Sequence, residues 1–206
     1  MSRSRVPDIV VGRLPIYLRT LHQLEDTGYT FTSSQELGKR IGISSAQIRK
    51  DLAHFGEFGK QGTGYEVKYL QEQIAKILNV DQDWSVALVG FGDLGQALSR
   101  YSGFARKGFH IDVVFDQDPQ KIGKKYHEVT IYDFEELAKI VSSQGIKLAI
   151  IAVPGFAAQD VAEKLVEAGV RAILNYAPVK LFVDEGVRVE YIDPIAHLQQ
   201  MSFYLT

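Results

Sequence analysis

Gly90, Gly92 and Gly95 fall in the run GFGDLG, which follows the apolar stretch VALV and opens into QALSR. Glycines at this spacing, leaving a strand and starting a helix, let backbone N–H groups close on a phosphate linkage at the positive end of the helix. Gly90 is read as the tight turn. Gly92 is read as the point of backbone approach to a dinucleotide pyrophosphate, and Gly95 as the close packing of helix on strand. Asp116 ends the next apolar run, HIDVVFD, 21 positions beyond Gly95. A carboxylate there accepts hydrogen bonds from the adenosine ribose hydroxyls and repels a 2′-phosphate, which favours NAD(H) over NADP(H). Asp93 suits the helix dipole but competes with the pyrophosphate, so its side chain is expected to point away.

The groups for turning such a ligand over are not evident. Tyr176 and Lys180, in YAPVK, have the Tyr-x-x-x-Lys spacing of short-chain dehydrogenases. That chemistry needs both side chains on one helical face, and Pro178 between them opposes a continuous helix. No His–Asp or His–Glu pair stands out as a general acid. His22, His54, His110, His127 and His197 are scattered without ligand-like spacing, so no metal site is expected. Cysteine is absent, which excludes disulfides, thiolate metal sites and thiol redox switches.

The chain that must position these residues has 206 residues, 46% of them hydrophobic, enough for one large or two small domains. No apolar run approaches the ~20 residues that span a bilayer, and the start MSRSRVPDIV lacks the apolar core of a secretory signal. A cytoplasmic protein without membrane contact is expected. The formal net charge of −2 divides unevenly. Up to Val80 there are 11 Lys and Arg against 8 Asp and Glu, and beyond it 12 against 17. A mildly basic front on an acidic body fits a nucleic-acid-binding head.

Apolar positions Ile9, Leu14, Tyr17, Leu18, Leu21 and Leu24 predict an amphipathic helix over 8–26, with a kink or late start at Pro15. Ser33 with Glu36, and Ser44 with Gln47, form capping boxes that open two short helices joined by a turn at Gly42. This pattern is a helix-turn-helix. In the second helix Ile48, Leu52 and Phe55 share a buried stripe. The opposite side carries Ala46, Arg49, Lys50, Ala53 and His54, small and basic residues that can approach base edges and phosphates. EFGKQGTGYEV then reads as a glycine-rich hairpin with Lys60 and Gln61 at its tip, which makes the head a winged helix. KYLQEQIAKIL is a fourth helix and NVDQDW a linker.

Beyond residue 80, SVALVG, FHIDVVF, EVTIY, KLAIIAVP and RAILNY read as strands. Helical stretches near 94–104, 133–143, 156–168 and 194–205 alternate with them. Such alternation predicts a parallel sheet with helices on both faces, a Rossmann-like domain. The expected organisation is an α/β chain with a winged-helix domain at 1–80, a dinucleotide-binding domain at 81–192 and a C-terminal helix at 193–206.

In these motifs the chain resembles the redox-sensing transcriptional repressor Rex family. The likeness runs from VPDIVVGRLPIYLRTL through SSAQIRKDLAHFGEFGKQGTGYEV, GFGDLG, VFDQDPQKIG, AVP and ILNYAPVKL to the terminal helix. It implies a homodimer with an exchanged C-terminal helix, a repressor that holds palindromic operator DNA at a low NADH/NAD⁺ ratio and releases it when NADH binds. It also implies DNA contacts along the second helix at Ser44, Ser45, Ala46, Gln47, Arg49, Lys50, Ala53 and His54, and on the wing at Lys60 and Gln61. Cofactor contacts are implied at Gly90, Phe91, Gly92, Asp93, Leu94 and Gly95, at Asp116 and Gln117, at Val153 and Pro154, and at Tyr101. Arg19 and Asp193 match the family's interdomain ion pair, and Tyr101 a tyrosine that changes partners between redox states. Gln61 stands where relatives often carry a second basic residue, and Pro194 where they often carry an aromatic. Two alternatives stay open, a small NAD-dependent oxidoreductase and a CoA-binding regulator.

Overall fold

The computed structural model describes residues 6–60, 62–127 and 129–205. The chain divides into two compact units, 1–82 and 83–206. In the first, the helix expected over 8–26 is two helices, α1 (Asp8–Val11) and α2 (Leu14–Asp26), separated at Gly12 and Arg13. Pro15 is the second residue of α2, where its missing N–H would have had no helical partner, so the late start relieves the conflict. Then follow β1 (Phe31–Thr32), α3 (Ser34–Ile41), α4 (Ser45–Ala53), β2 (Gly59–Lys60), β3 (Gly64–Glu66) and α5 (Val67–Leu78). Leu14, Tyr17, Leu21 and Leu24 of α2 pack with Leu37, Ile48, Leu52, Leu70 and Ile74 in one core.

Both helices of the helix-turn-helix start as their caps predict. The Ser33 hydroxyl accepts from the Glu36 N–H at 3.1 Å, and the Ser44 hydroxyl from the Gln47 N–H at 3.2 Å. The return halves of both capping boxes are diverted. The Glu36 carboxylate pairs with Arg40 at 2.8 Å, and the Gln47 amide donates to Asp51 at 2.7 Å. Gly42 ends α3 in the left-handed region, with φ of 72°. In the hairpin Gly59 faces Tyr65 and Lys60 faces Gly64, so Lys60 is the last paired residue of β2. Gln61 lies outside the described residues. Strand β1 adds to β3 and completes a three-stranded sheet. Two residues carry too little periodicity for β1 to be read in advance.

The second unit holds β4 (Trp84–Val89), α6 (Asp93–Arg100), α7 (Ser102–Ala105), β5 (Phe109–Asp116), β6 (Lys125–Tyr126) and β7 (Val129–Asp133). It continues with α8 (Leu137–Ser143), β8 (Leu148–Ile151), α9 (Gly155–Glu167), β9 (Ala172–Asn175), β10 (Arg188–Tyr191) and α10 (Pro194–Ser202). The sheet order is β10-β9-β8-β4-β5-β7-β6, parallel apart from β6 against β7. The six parallel strands follow the doubly wound order, with its reversal between β4 and β8. Helix 94–104 of the sequence reading breaks at Tyr101, whose extended backbone separates α6 from α7. Glu128, read as the first residue of a strand, lies outside the described residues.

β4 shows how the sheet is covered. Ala87 and Val89 join the core formed with Leu137, Val141, Ala158 and Leu165 of α8 and α9. Val86 and Leu88 point to the other face, with Val114, Ile131 and Ile150. There the helices α6 and α7 are short, and Leu148, Leu174 and Tyr176 stay only half-buried. No helix among the described residues is long and apolar enough to cross a membrane.

Candidate functional site

α4 divides as its periodicity predicts, except that Phe55 falls beyond its end at Ala53 and is only half-buried. Ile48 and Leu52 are buried, while Ala46, Arg49, Lys50, Ala53 and His54 are exposed. Ser44 is its exposed N-cap, and Ser45 and Gln47 are half-buried in its first turn. Arg49 donates to the Ser34 hydroxyl at 2.9 Å. Its charge also lowers the Tyr65 phenol pKa, although burial is the larger influence and leaves that pKa raised. Ser34, Arg49, Tyr65 and Lys60 border a concavity of about 500 Å³ between the start of α3, the C-terminal half of α4 and the wing. Ser34 and Tyr65 were not singled out by the sequence reading.

Neither was the group that anchors α4. Asp51 is fully buried beside Ile48 and Leu52. Arg13 Nε donates to its Oδ2 at 2.5 Å and Arg13 Nη2 to its Oδ1 at 2.7 Å. The Tyr17 hydroxyl donates at 2.6 Å and the Gln47 amide at 2.7 Å. Burial opposes charge on Asp51, but the hydrogen bonds from Arg13, Tyr17 and Gln47 outweigh it and hold its pKa below the usual carboxylate range. Burial, then the bond to Asp51, pushes the Tyr17 phenol up. A sequence signal was present, since Arg13 and Tyr17 stand four apart across the start of α2 and Asp51 interrupts an apolar stripe.

In the second unit the carboxyl ends of β4, β5 and β8 surround a cleft of about 390 Å³. Gly90 has φ of +97°, and a Cβ there would stand 2.5 Å from the Ala152 carbonyl oxygen. A Cβ at Gly95 would stand 2.0 Å from the Gly90 carbonyl oxygen, so α6 crosses the turn at backbone distance. At Gly92 a Cβ would meet nothing within 4 Å. That open side, next to the first N–H groups of α6, is a place where an anionic linkage can come close.

Of the expected cofactor residues, the structure brings Gly90, Phe91, Gly92, Asp116, Gln117, Val153 and Pro154 to the cleft wall. Asp93, Leu94 and Gly95 lie in the adjoining first turn of α6, with Asp93 exposed, and do not line the cleft. Asp118, Lys121, Phe134, Phe156 and Asp160 line it and were not singled out. The Asp116 carboxylate is largely engaged within the protein. Its Oδ2 accepts from the Phe91 N–H at 2.7 Å and from Lys121 at 3.3 Å, and its Oδ1 from the Asp118 N–H at 2.8 Å. A carboxylate has about four lone-pair directions, so about one is left for a ribose hydroxyl.

Tyr101 is 60% exposed, away from the cleft wall, with its ring edge-on to Phe104. Arg19 is exposed on α2. Asp193 accepts from the N–H groups of Ile195 and Ala196, both at 3.1 Å, and so caps α10. Pro194 is the first residue of that helix, a position that suits it. Tyr176 and Lys180 do not share a helix. Tyr176 follows β9 and is packed on the sheet, where burial raises its pKa. Lys180 lies over the Phe182 ring, 5.6 Å from its centroid.

A winged helix-turn-helix with a basic reading face, followed by a doubly wound sheet with a glycine-lined cleft, defines a class of DNA-binding regulators that carry a nucleotide-binding domain. Comparison with known proteins agrees. Residues 81–179 match the family described as "CoA binding domain", and residues 5–53 the one described as "Putative DNA-binding protein N-terminus". The redox-sensing transcriptional repressor Rex of Chloroflexus aurantiacus is 55% identical over 206 residues, 100% of this chain and 97% of the relative. That of Brevibacillus brevis is 45% identical, over 100% of this chain and 99% of the relative. The crystal structure of RSP with β-NAD⁺ and operator DNA superimposes with a TM-score of 0.93 at 36% identity, covering 97% of this chain and 92% of that one. RSP with β-NADH gives 0.88 at 34% identity, covering 98% and 94%. The chain belongs to the redox-sensing transcriptional repressor Rex family.

Proposed function

We propose that this protein is a homodimeric repressor that holds palindromic operator DNA when NADH is scarce and releases it when NADH binds. The observation that carries the reading is the presence on one chain of the exposed Ala46–Arg49–Lys50–Ala53 face and the Gly90–Gly92 cleft. RSP, a Rex-family repressor, has been crystallised with NADH and with NAD⁺ and operator DNA, which supports the same assignment here. The cleft fits a dinucleotide, because the space before Gly92 would admit a pyrophosphate to the N–H groups of Gly92, Asp93 and Leu94. Asp116 would meet the adenosine ribose, and Val153, Pro154 and Phe156 would add apolar contact. NAD⁺ and NADH differ by a positive charge on the nicotinamide ring, so apolar contact with that ring disfavours the charged form.

The ligand acts as a signal rather than as a reactant. Tyr176 and Lys180 are not arranged for proton transfer, and the repressor relatives support a chain without catalytic activity. Two surfaces support the dimer. α10 buries none of its residues, leaving Ile195, Leu198 and Met201 exposed, with Phe203 and Tyr204 beyond its end. The sheet face carrying Leu148, Leu174 and Tyr176 is incompletely covered. Exchange of α10 between protomers would bury such apolar surfaces, and the dimer would act in the cytoplasm on double-stranded DNA. A dimeric helix-turn-helix fits its operator only with recognition helices ~34–36 Å apart, or a multiple of it, so a ligand that changes this spacing abolishes the fit. The switch roles implied for Arg19, Tyr101 and Asp193 belong to this reading.

Fluorescence anisotropy with a palindromic operator tests it. NADH should release the duplex while NAD⁺ does not, and operator DNA should weaken NADH affinity by the same factor. Equal release by both nucleotides, or by neither, refutes the sensor. Arg19→Ala should bind NADH normally yet stay on DNA, and ordinary NADH-driven release by this variant refutes the switch role.

A further inference from the structure

Gln47 is the third residue of α4, in the part of a recognition helix that meets base edges. A glutamine amide at such a place is normally ambiguous, because a half-turn exchanges its donor and acceptor and with them the base it matches. In this chain the half-turn is blocked. Gln47 Nε2 donates to Asp51 Oδ1 at 2.7 Å, one turn further along the same helix. Asp51 is itself immobilised by the two bonds from Arg13 and the one from Tyr17. Reversal would set the amide oxygen against an ionised, buried carboxylate. Among the described residues Oε1 accepts no hydrogen bond, and it is not one of the buried side-chain atoms left without a partner, which are Thr32 Oγ1 and Gln71 Nε2. It therefore reaches the surface. The amide also keeps a second N–H.

We infer that Asp51 sets Gln47 as the reader of one adenine in the operator half-site, with Oε1 accepting from the N6 amino group and the second N–H donating to N7. That donor–acceptor pair is the one adenine presents in the major groove. Gln47 is then the specificity-determining residue and Asp51 its positioning residue. The inference rests on the DNA-binding reading above and adds to it the base that is read and the group that enforces the choice.

The test selects half-sites from a randomised duplex pool with the full-length protein in the absence of NADH. The wild type should require adenine at one position. Gln47→Ala and Asp51→Asn should both lose that requirement, so that each binds duplexes with any of the four bases at that position equally well. A general loosening of the fold would instead weaken binding to every duplex alike. Replacing that adenine by 7-deazaadenine, or by purine without its amino group, should weaken wild-type binding about tenfold and leave Gln47→Ala unaffected. The analogue experiment needs no Asp51 variant and stands even if Asp51→Asn fails to fold. Analogues without effect on the wild type, a folded Asp51→Asn that keeps the full adenine preference, or a Gln47-dependent position that is not adenine would each overturn the inference. A wild type that selects no duplex overturns the DNA-binding reading itself.

Discussion

Each unit holds a buried aspartate, and the two are used in opposite ways. Asp51, in the head, is fully enclosed, and its carboxylate is held by side chains, those of Arg13 just before α2, Tyr17 of α2 and Gln47 of α4. Asp116, at the end of β5, is 9% exposed and is held mainly by backbone N–H groups of the loops around the cleft. The first arrangement satisfies a charge inward and makes a rigid surface for reading a partner. The second fixes a loop while leaving the carboxylate on the wall of a cleft, where a ligand can still meet it. The head is thus preorganised at its helix face and the sheet domain at its backbone turns.

The sharpest way to break that contrast is Asp51→Ala. It strands the Arg13 guanidinium and the Tyr17 hydroxyl, and removal of one partner of a buried pair costs about 3–5 kcal/mol. Arg13 keeps 18% of its side chain in water, which places the expected loss near the lower end, about 3 kcal/mol. Urea denaturation followed by far-UV circular dichroism should show it, with NADH binding retained by the sheet domain. The same pair predicts an acid dependence. The Asp51 pKa is lowered in the folded state, so its contribution is fully present above the unfolded value of about 3.9 and is lost as pH falls through the folded value. The wild-type head should lose stability as pH drops below about 4, and in Asp51→Asn that part of the pH dependence should vanish.

Gly95→Ala probes the backbone packing of the other unit. The added methyl would overlap the Gly90 carbonyl, and overpacking of this kind costs about 1–3 kcal/mol. The thermal midpoint of the sheet domain should fall while the Asp51 network is untouched. Gly92→Ala separates binding from folding. Its methyl meets open space, so stability should stay within about 0.5 kcal/mol, while NADH affinity measured by titration should fall about tenfold. Lys121→Ala is the mildest change. Lys121 lies 3.3 Å from Asp116 and 3.6 Å from Asp118, so its removal raises the negative charge beside the proposed ribose site. Stability should change by about 0–1 kcal/mol, and the preference for NADH over NADPH should widen a few-fold.

Much of the site was legible before any coordinates. The roles assigned to Gly90 and Gly95 depend on local backbone geometry, and both glycines occupy places that a side chain would fill. The caps at Ser33 and Ser44 act across three residues and were equally readable. What escaped reading were partners far apart in the chain. Arg13 and Asp51 are 38 residues apart, and nothing local to either says that they meet. The short strands β1 and β6 and the edge strand β10 carry too little pattern for recognition, since pairing with a neighbour defines them more than their own residues do. Lys121 and Phe134 reach the cleft only because the sheet order brings their loops to the same end.

The order of the helices, the two capped starts, the alternating strands and the glycine turn follow from interactions within a few residues, where propensity and periodicity act directly. Whether a carboxylate is buried or open, and what it is bonded to, depends on groups that folding brings together from separate elements. Asp51 and Asp116 are the same residue type, each with one apolar and one polar neighbour in the chain. Only the packing of α2 within the head, and the convergence of β4, β5 and β8 at the cleft, made one a closed anchor and the other a wall of that cleft. Desolvation and hydrogen bonding are properties of the assembled surroundings, and no single segment contains them.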